Sequence, residues 1–237
     1  MAIPIPLLLY EFSTWIYFLA AIVGILLSYF SFKLYSMTGK REQRFLFYAM
    51  VFITIGFILL TIANVFGLSN FQSCFPLCQF DVTDPVYSLV IKSGNYIYYL
   101  TSLIGYTLLA LTYLKSIKIE KFFGRFFAFI PLNVTLLIET ANIEFFLYPF
   151  GNFAFQLFHL LAIVILSYIN FNTITNYLVL KTRHSFPVMI GFIFIGLYHF
   201  LMALTPFKPI IFGVAQFSLL AGLISLLWML IQVNRRG

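Results

Sequence analysis

Apolar residues run along this chain in long stretches, and polar residues gather in the short intervals between them. Each stretch reaches the roughly 20 residues that an α-helix needs to cross a hydrocarbon core. The pattern predicts seven spans: Glu11–Leu34, Phe45–Phe66, Leu89–Leu114, Phe126–Leu147, Phe153–Leu180, Phe186–Leu204 and Lys208–Val233. Pro4, Pro6, Pro149, Pro187, Pro206 and Pro209 fall at or near span ends, where a residue without an N–H punctuates a helix. Pro131 lies inside the fourth span and predicts a kink there. The connections are short except for Gly67–Ser88, the longest loop. The expectation is a single all-α, polytopic transmembrane domain over residues 1–237, with no internal repeat.

Charge changes the picture by giving the spans a direction. Lys33, Lys40, Arg41 and Arg44 cluster in the first connection; Lys115, Lys118, Lys121 and Arg125 in the third; Lys181 and Arg183 in the fifth; Arg235 and Arg236 in the tail. The opposite side carries only Lys92 and Lys208, with Glu11, Asp81, Asp84 and Glu144. The positive-inside rule then predicts the N-terminus outside and the C-terminus in the cytoplasm, which an odd number of spans requires. It also makes Gly67–Ser88 an external loop.

Composition excludes a water-soluble globule. The chain is 62% hydrophobic and only 9% charged, with a mean hydropathy of +1.00, whereas soluble domains carry about a quarter charged residues. The net charge of +7 reads as a cytoplasmic collar facing anionic lipid or a cytoplasmic protein partner, and not as a nucleic-acid surface. The expected location is the cell membrane. No positive n-region precedes the first span, so that span is expected to act as its own insertion signal.

Polar groups inside a bilayer are expensive, and each asks for a reason. The candidates for ligand or ion binding are Asn95, Tyr99, Glu139, Gln156, His159, His199 and Gln216. At 1.5 Å per residue, His159 and His199 lie roughly 9 Å from the outer ends of their spans, and Glu139 and Gln216 roughly 12 Å. These groups therefore share one layer in the outer half of the membrane. His159 and His199 on neighbouring spans suit axial ligation of a haem or a metal site; the alternative is hydrogen bonding inside the bundle. Glu139 suits a proton- or cation-carrying carboxylate.

The third span carries Asn95, Tyr99, Ser102, Tyr106 and Tyr113 on one face. The fifth carries Gln156, His159, Asn170, Thr173 and Tyr177. These stripes line either a cavity or interhelical hydrogen bonds. Cys74 and Cys78 stand together in the external loop, where a disulfide is permitted. Ala20, Gly24, Ser28 and Ser31, and likewise Ser218, Gly222, Ser225 and Gln232, form small or polar faces that let helices approach closely, within the bundle or between copies in an oligomer.

The length, span count and orientation resemble a microbial rhodopsin in topology. That family's Schiff-base lysine in mid-helix 7 has no counterpart, since Lys208 stands only at the mouth of the seventh span, and the third span holds no Asp or Glu. Retinal bound as a Schiff base is therefore not expected. The segments Ser31–Lys40 and Phe47–Phe57 resemble prokaryotic, archaeal-type seven-helix membrane proteins, some of them sensor-like. That resemblance implies a sensor that passes its signal to a separate partner, and with the outer polar layer the expectation is a non-enzymatic, sensor- or receptor-like bundle that binds a small ligand or partner. The alternatives are a redox subunit holding one haem or a quinone, and a proton- or ion-coupled carrier using Glu139. A membrane hydrolase lacks support, because the chain has neither a paired His–Glu zinc motif nor a nucleophile spaced to a base.

Overall fold

The computed structural model describes residues 7–74, 85–113, 153–181, 185–205 and 210–235. These residues form six α-helices and no strands: α1 (Leu7–Thr38), α2 (Arg41–Cys74), α3 (Pro85–Thr112), α4 (Phe153–Leu180), α5 (Ser185–Leu204) and α6 (Ile210–Asn234). The predicted fourth span, Phe126–Leu147, with its Pro131, lies outside the described residues, so α4 to α6 correspond to the predicted fifth to seventh spans.

Helix limits follow local chemistry. Gly39, at φ 64°, stops α1 in the left-handed conformation that an L side chain resists. Its N–H bonds the Tyr35 carbonyl at 2.8 Å. Pro85 opens α3 at a position where a missing N–H costs nothing. Pro187 sits in the first turn of α5 for the same reason, and α5 ends at Leu204, just before Thr205–Pro206. The predicted loop Gly67–Ser88 is shorter than expected. α2 continues through Gly67 to Cys74, and α3 starts at Pro85. No proline interrupts the sequence between Phe66 and Phe75–Pro76, so nothing in the chain stops the helix earlier.

Five of these helices, all but α3, are long and apolar enough to cross a membrane. The described residues are thus all-helical, and the chain is a multi-pass membrane protein. α3 has the length, 28 residues, but Tyr96, Tyr98, Tyr99, Tyr106 and Asn95 lower its hydropathy. The exterior agrees with a lipid environment. Large apolar side chains such as Trp15, Ile62, Val164, Phe171 and Phe217 are more than half exposed, a surface that water would not tolerate.

The helices pack in chain order, α1 to α2, α2 to α3, α3 to α4, α4 to α5 and α5 to α6, and α6 closes the ring against α1. Small residues allow these approaches. Gly222 of α6 lies so near α5 that a Cβ on it would stand 2.8 Å from the Gly191 carbonyl oxygen. On α1, Gly24 fits against Thr54 of α2, and Ser28 hydrogen-bonds the Thr54 hydroxyl at 3.2 Å. The Ser225 hydroxyl donates to the Pro187 carbonyl at 2.9 Å. The small faces of the first and last spans therefore pack inside the bundle.

Candidate functional site

The inward stripe of α4 repeats at helical spacing through Phe155, His159, Ala162, Leu166, Ile169 and Thr173, all buried. The matching stripe of α5 runs through Phe192, Ile195, Tyr198, His199 and Met202. Where these stripes meet, the Nδ1 atoms of His159 and His199 lie 2.8 Å apart, within hydrogen-bonding distance. His199 Nε2 lies 2.9 Å from the Tyr106 hydroxyl of α3. Three helices thus contribute one continuous chain: Tyr106, His199, His159. Phe155 and Phe158 stand edge-on to His159 with ring centroids at 4.4 and 4.8 Å, and Tyr99 stacks on Phe158 at 4.5 Å.

Beside this chain is a cavity of about 50 Å³, room for about three waters at roughly 15 Å³ each. Every described helix contributes to its wall: Ser13 and Tyr17 of α1, Asn64 of α2, Asn95, Tyr98 and Tyr99 of α3, His159 of α4, Tyr198 of α5 and Phe212 of α6. These residues come from the start of α1, α3, α4 and α6 and from the later part of α2 and α5. The cavity therefore belongs to one end of the bundle.

Its polar atoms are partly committed. The Asn95 amide donates back to the Ile91 carbonyl at 2.9 Å, which leaves its own carbonyl oxygen for another donor. The Tyr98 and Tyr198 hydroxyls lie 3.3 Å apart. Gln216 of α6 donates to the Tyr17 hydroxyl at 2.8 Å, while its Oε1 is buried without a partner. Ser102, one turn beyond Tyr98 on α3, also has a buried hydroxyl without a partner. Buried polar groups of this kind usually mark a bound water or ligand group. Among the described residues no carboxylate lines the cavity.

The sequence-derived candidates divide accordingly. His159, Asn95 and Tyr99 line the cavity; His199 is hydrogen-bonded to His159; Gln216 joins through Tyr17. Gln156 is half-buried and takes no part in the cavity wall, since it stands one residue, about 100° of helix, round from Phe155. Glu139 and Cys78 lie outside the described residues, and Cys74 is the last residue of α2. Tyr17, Tyr98, Tyr198, Ser13 and Asn64 are additions that sequence reasoning passed over. Asn64 is an amide inside a span, the same signal that singled out Asn95. The tyrosines read in sequence as ordinary packing.

Haem ligation by the two histidines does not fit this geometry. Two axial nitrogens at about 2 Å from a metal stand about 4 Å apart with a macrocycle between them. Here the nitrogens meet at 2.8 Å and the ring centroids at 5.0 Å. Among the described residues no group of three or more His, Cys, Asp or Glu side chains is arranged to hold a metal ion.

The arrangement is suited to moving or orienting protons. With both imidazoles neutral, each carries one N–H, so one Nδ1 donates and the other accepts. If His159 Nδ1 donates, His199 holds its proton on Nε2 and donates to Tyr106. If His199 Nδ1 donates, its Nε2 is bare and accepts from Tyr106. A switch at His159 therefore reverses every bond of the chain. No family model, no curated protein and no solved structure matches this chain.

Proposed function

We propose that this chain is a seven-span protein of the cell membrane, N-terminus outside, that works as a non-enzymatic, sensor-like receptor for a small hydrogen-bonding ligand. The ligand occupies the cavity in the outer half of the bundle. The start of α3 and the start of α4 lie at the same, cavity-lining end; this supports one further crossing between them, where the sequence places Phe126–Leu147. The distribution of lysine and arginine supports the orientation.

The observation that carries the reading is the chain Tyr106–His199–His159 ending at the cavity wall. A ligand that donates to the remaining His159 nitrogen, Nε2, requires that nitrogen bare and so fixes His159 as a donor to His199. A ligand that accepts from it fixes the opposite order. Ligand polarity is thereby written into the hydrogen-bond direction at Tyr106 on α3. Basic residues at the other end of the helices then present the changed packing to anionic lipid or a cytoplasmic partner.

The chain has three histidines, which makes the test direct. ¹⁵N-histidine spectra of the protein in nanodiscs are recorded against a panel of small amines, alcohols, amides and carboxylates. A ligand of this site shifts His159 and His199 together and leaves His184 unchanged, and His159→Gln abolishes the response. A panel without any such paired shift, or a response that survives His159→Gln, overturns the reading.

A further inference from the structure

A second site stands apart from the cavity, on the outer surface between α4 and α5. There a groove of about 330 Å³ is walled by apolar side chains that include Ile163, Ile193, Leu197 and Phe200. Ile193, Leu197 and Phe200 are each more than a third exposed, so the groove opens outward to whatever surrounds the bundle. For membrane-spanning helices those surroundings are lipid.

Two polar side chains, Ser167 and Asn170, line this otherwise apolar groove, and Asn170 carries an amide into it. Its Oδ1 is buried and has no hydrogen-bond partner. Among the described residues its Nδ2 donates to nothing either, and beyond the backbone ladder of α4 only its carbonyl is used, by the Thr173 hydroxyl. An amide with both ends idle at membrane depth is costly unless a partner arrives. Gly196 keeps the space beside it open, because a Cβ there would stand 2.9 Å from Asn170 Nδ2.

Depth restricts the partner. Asn170 lies ten residues before the end of α4, about 15 Å along the helix, below the level that charged lipid headgroups reach. A hydroxyl fits both needs, since it accepts from an amide N–H and donates to an amide oxygen.

We propose that the α4–α5 groove binds a weakly polar, membrane-dissolved lipid with a single hydroxyl, such as a long-chain or isoprenoid alcohol, whose hydroxyl pairs with the Asn170 amide while its chain lies along Ile163, Ile193, Leu197 and Phe200. The site is independent of the His159 cavity, and neither stands or falls with the other.

The test uses the full chain in phosphatidylcholine nanodiscs and two photoreactive probes, a diazirine-bearing hexadecanol and the same diazirine chain without the hydroxyl. The expected result is several-fold stronger labelling of α4 and α5 peptides by the alcohol. Asn170→Leu removes that preference, and Gly196→Val removes labelling by both probes. Because the amide has no partner among the described residues, Asn170→Leu is also expected to raise the unfolding temperature of the lipid-stripped protein, which shows that the variant is folded. Equal labelling of the wild type by both probes, or a preference for the alcohol that persists in Asn170→Leu, overturns the proposal.

Discussion

His159 and His199 meet nitrogen to nitrogen, Nδ1 to Nδ1 at 2.8 Å, on helices that neighbour each other in the ring. A shared Nδ1 contact forces the two neutral rings into opposite tautomers. One histidine of the pair is therefore expected to be protonated at Nδ1 and the other at Nε2, a pattern that ¹⁵N chemical shifts in a lipid-reconstituted sample resolve. Finding both rings as Nε2 tautomers contradicts the direct bond.

Tyr106→Phe removes the partner of His199 Nε2 without changing the shape of the packing. Interhelical hydrogen bonds in membrane bundles average about 0.6 kcal/mol, and a buried group left without a partner costs about 1–3 kcal/mol. The expected loss is about 1 kcal/mol of stability, measured by reversible denaturation in mixed micelles. A double-mutant cycle with His199→Phe should recover most of that loss as coupling, because the same bond is removed in both single variants.

Gly222 and Gly213 both lie on α6 but face different surroundings. A methyl group on Gly222 would press on the Gly191 backbone, whereas Gly213 has nothing within 4 Å of the same added atom. Gly222→Ala is expected to destabilise the bundle by about 1–3 kcal/mol through overpacking. Gly213→Ala is expected to be neutral or to stabilise by up to about 1 kcal/mol through helix propensity. Unfolding midpoints of the two variants compared side by side decide this, and equal effects would contradict the close α5–α6 approach.

The proposed orientation is checked by thiol labelling. In a chain with Cys74 and Cys78 replaced by serine, Lys40→Cys is expected to react with a membrane-impermeant maleimide only from the cytoplasmic side. Ser69→Cys is expected to react only from outside. Both positions are exposed. The reverse pattern inverts the topology and moves the cavity to the inner half of the membrane.

Depth along each helix was readable from the chain because every residue advances a helix by about 1.5 Å. Depth alone puts His159, His199, Glu139 and Gln216 in one expected layer with Asn95; of these, the structure places His159 and Asn95 in the cavity wall, bonds His199 to His159 and bonds Gln216 to Tyr17. Rotation about each axis was not readable, because it depends on which helices are neighbours. The stripe read on α3 placed Tyr99 on the polar face. In the structure Tyr98 bonds Tyr198, while Tyr99 lies at the cavity edge and stacks on Phe158. Gln156 and Phe155 exchange roles in the same way on α4. Tyrosines hid the site further, since a hydroxyl on an aromatic ring gives no sign in a sequence of whether it meets water, lipid or another hydroxyl. The limits of α4 matched the predicted span, whereas the ends of α2 and α3 extended into the predicted loop, where hydropathy fades but helix formation does not.

The seam between α1 and α6 has a consequence for how the protein is made. Gln216 reaches Tyr17 across 199 positions of the chain, and the Asn234 amide reaches the Phe30 carbonyl across 204. A ribosome delivers α1 into the membrane long before α6 exists, so for most of synthesis the Tyr17 hydroxyl and the Phe30 carbonyl lack these partners. Closing the ring therefore waits for α6, and a nascent chain stalled before α6 leaves this flank of α1 without its partner helix.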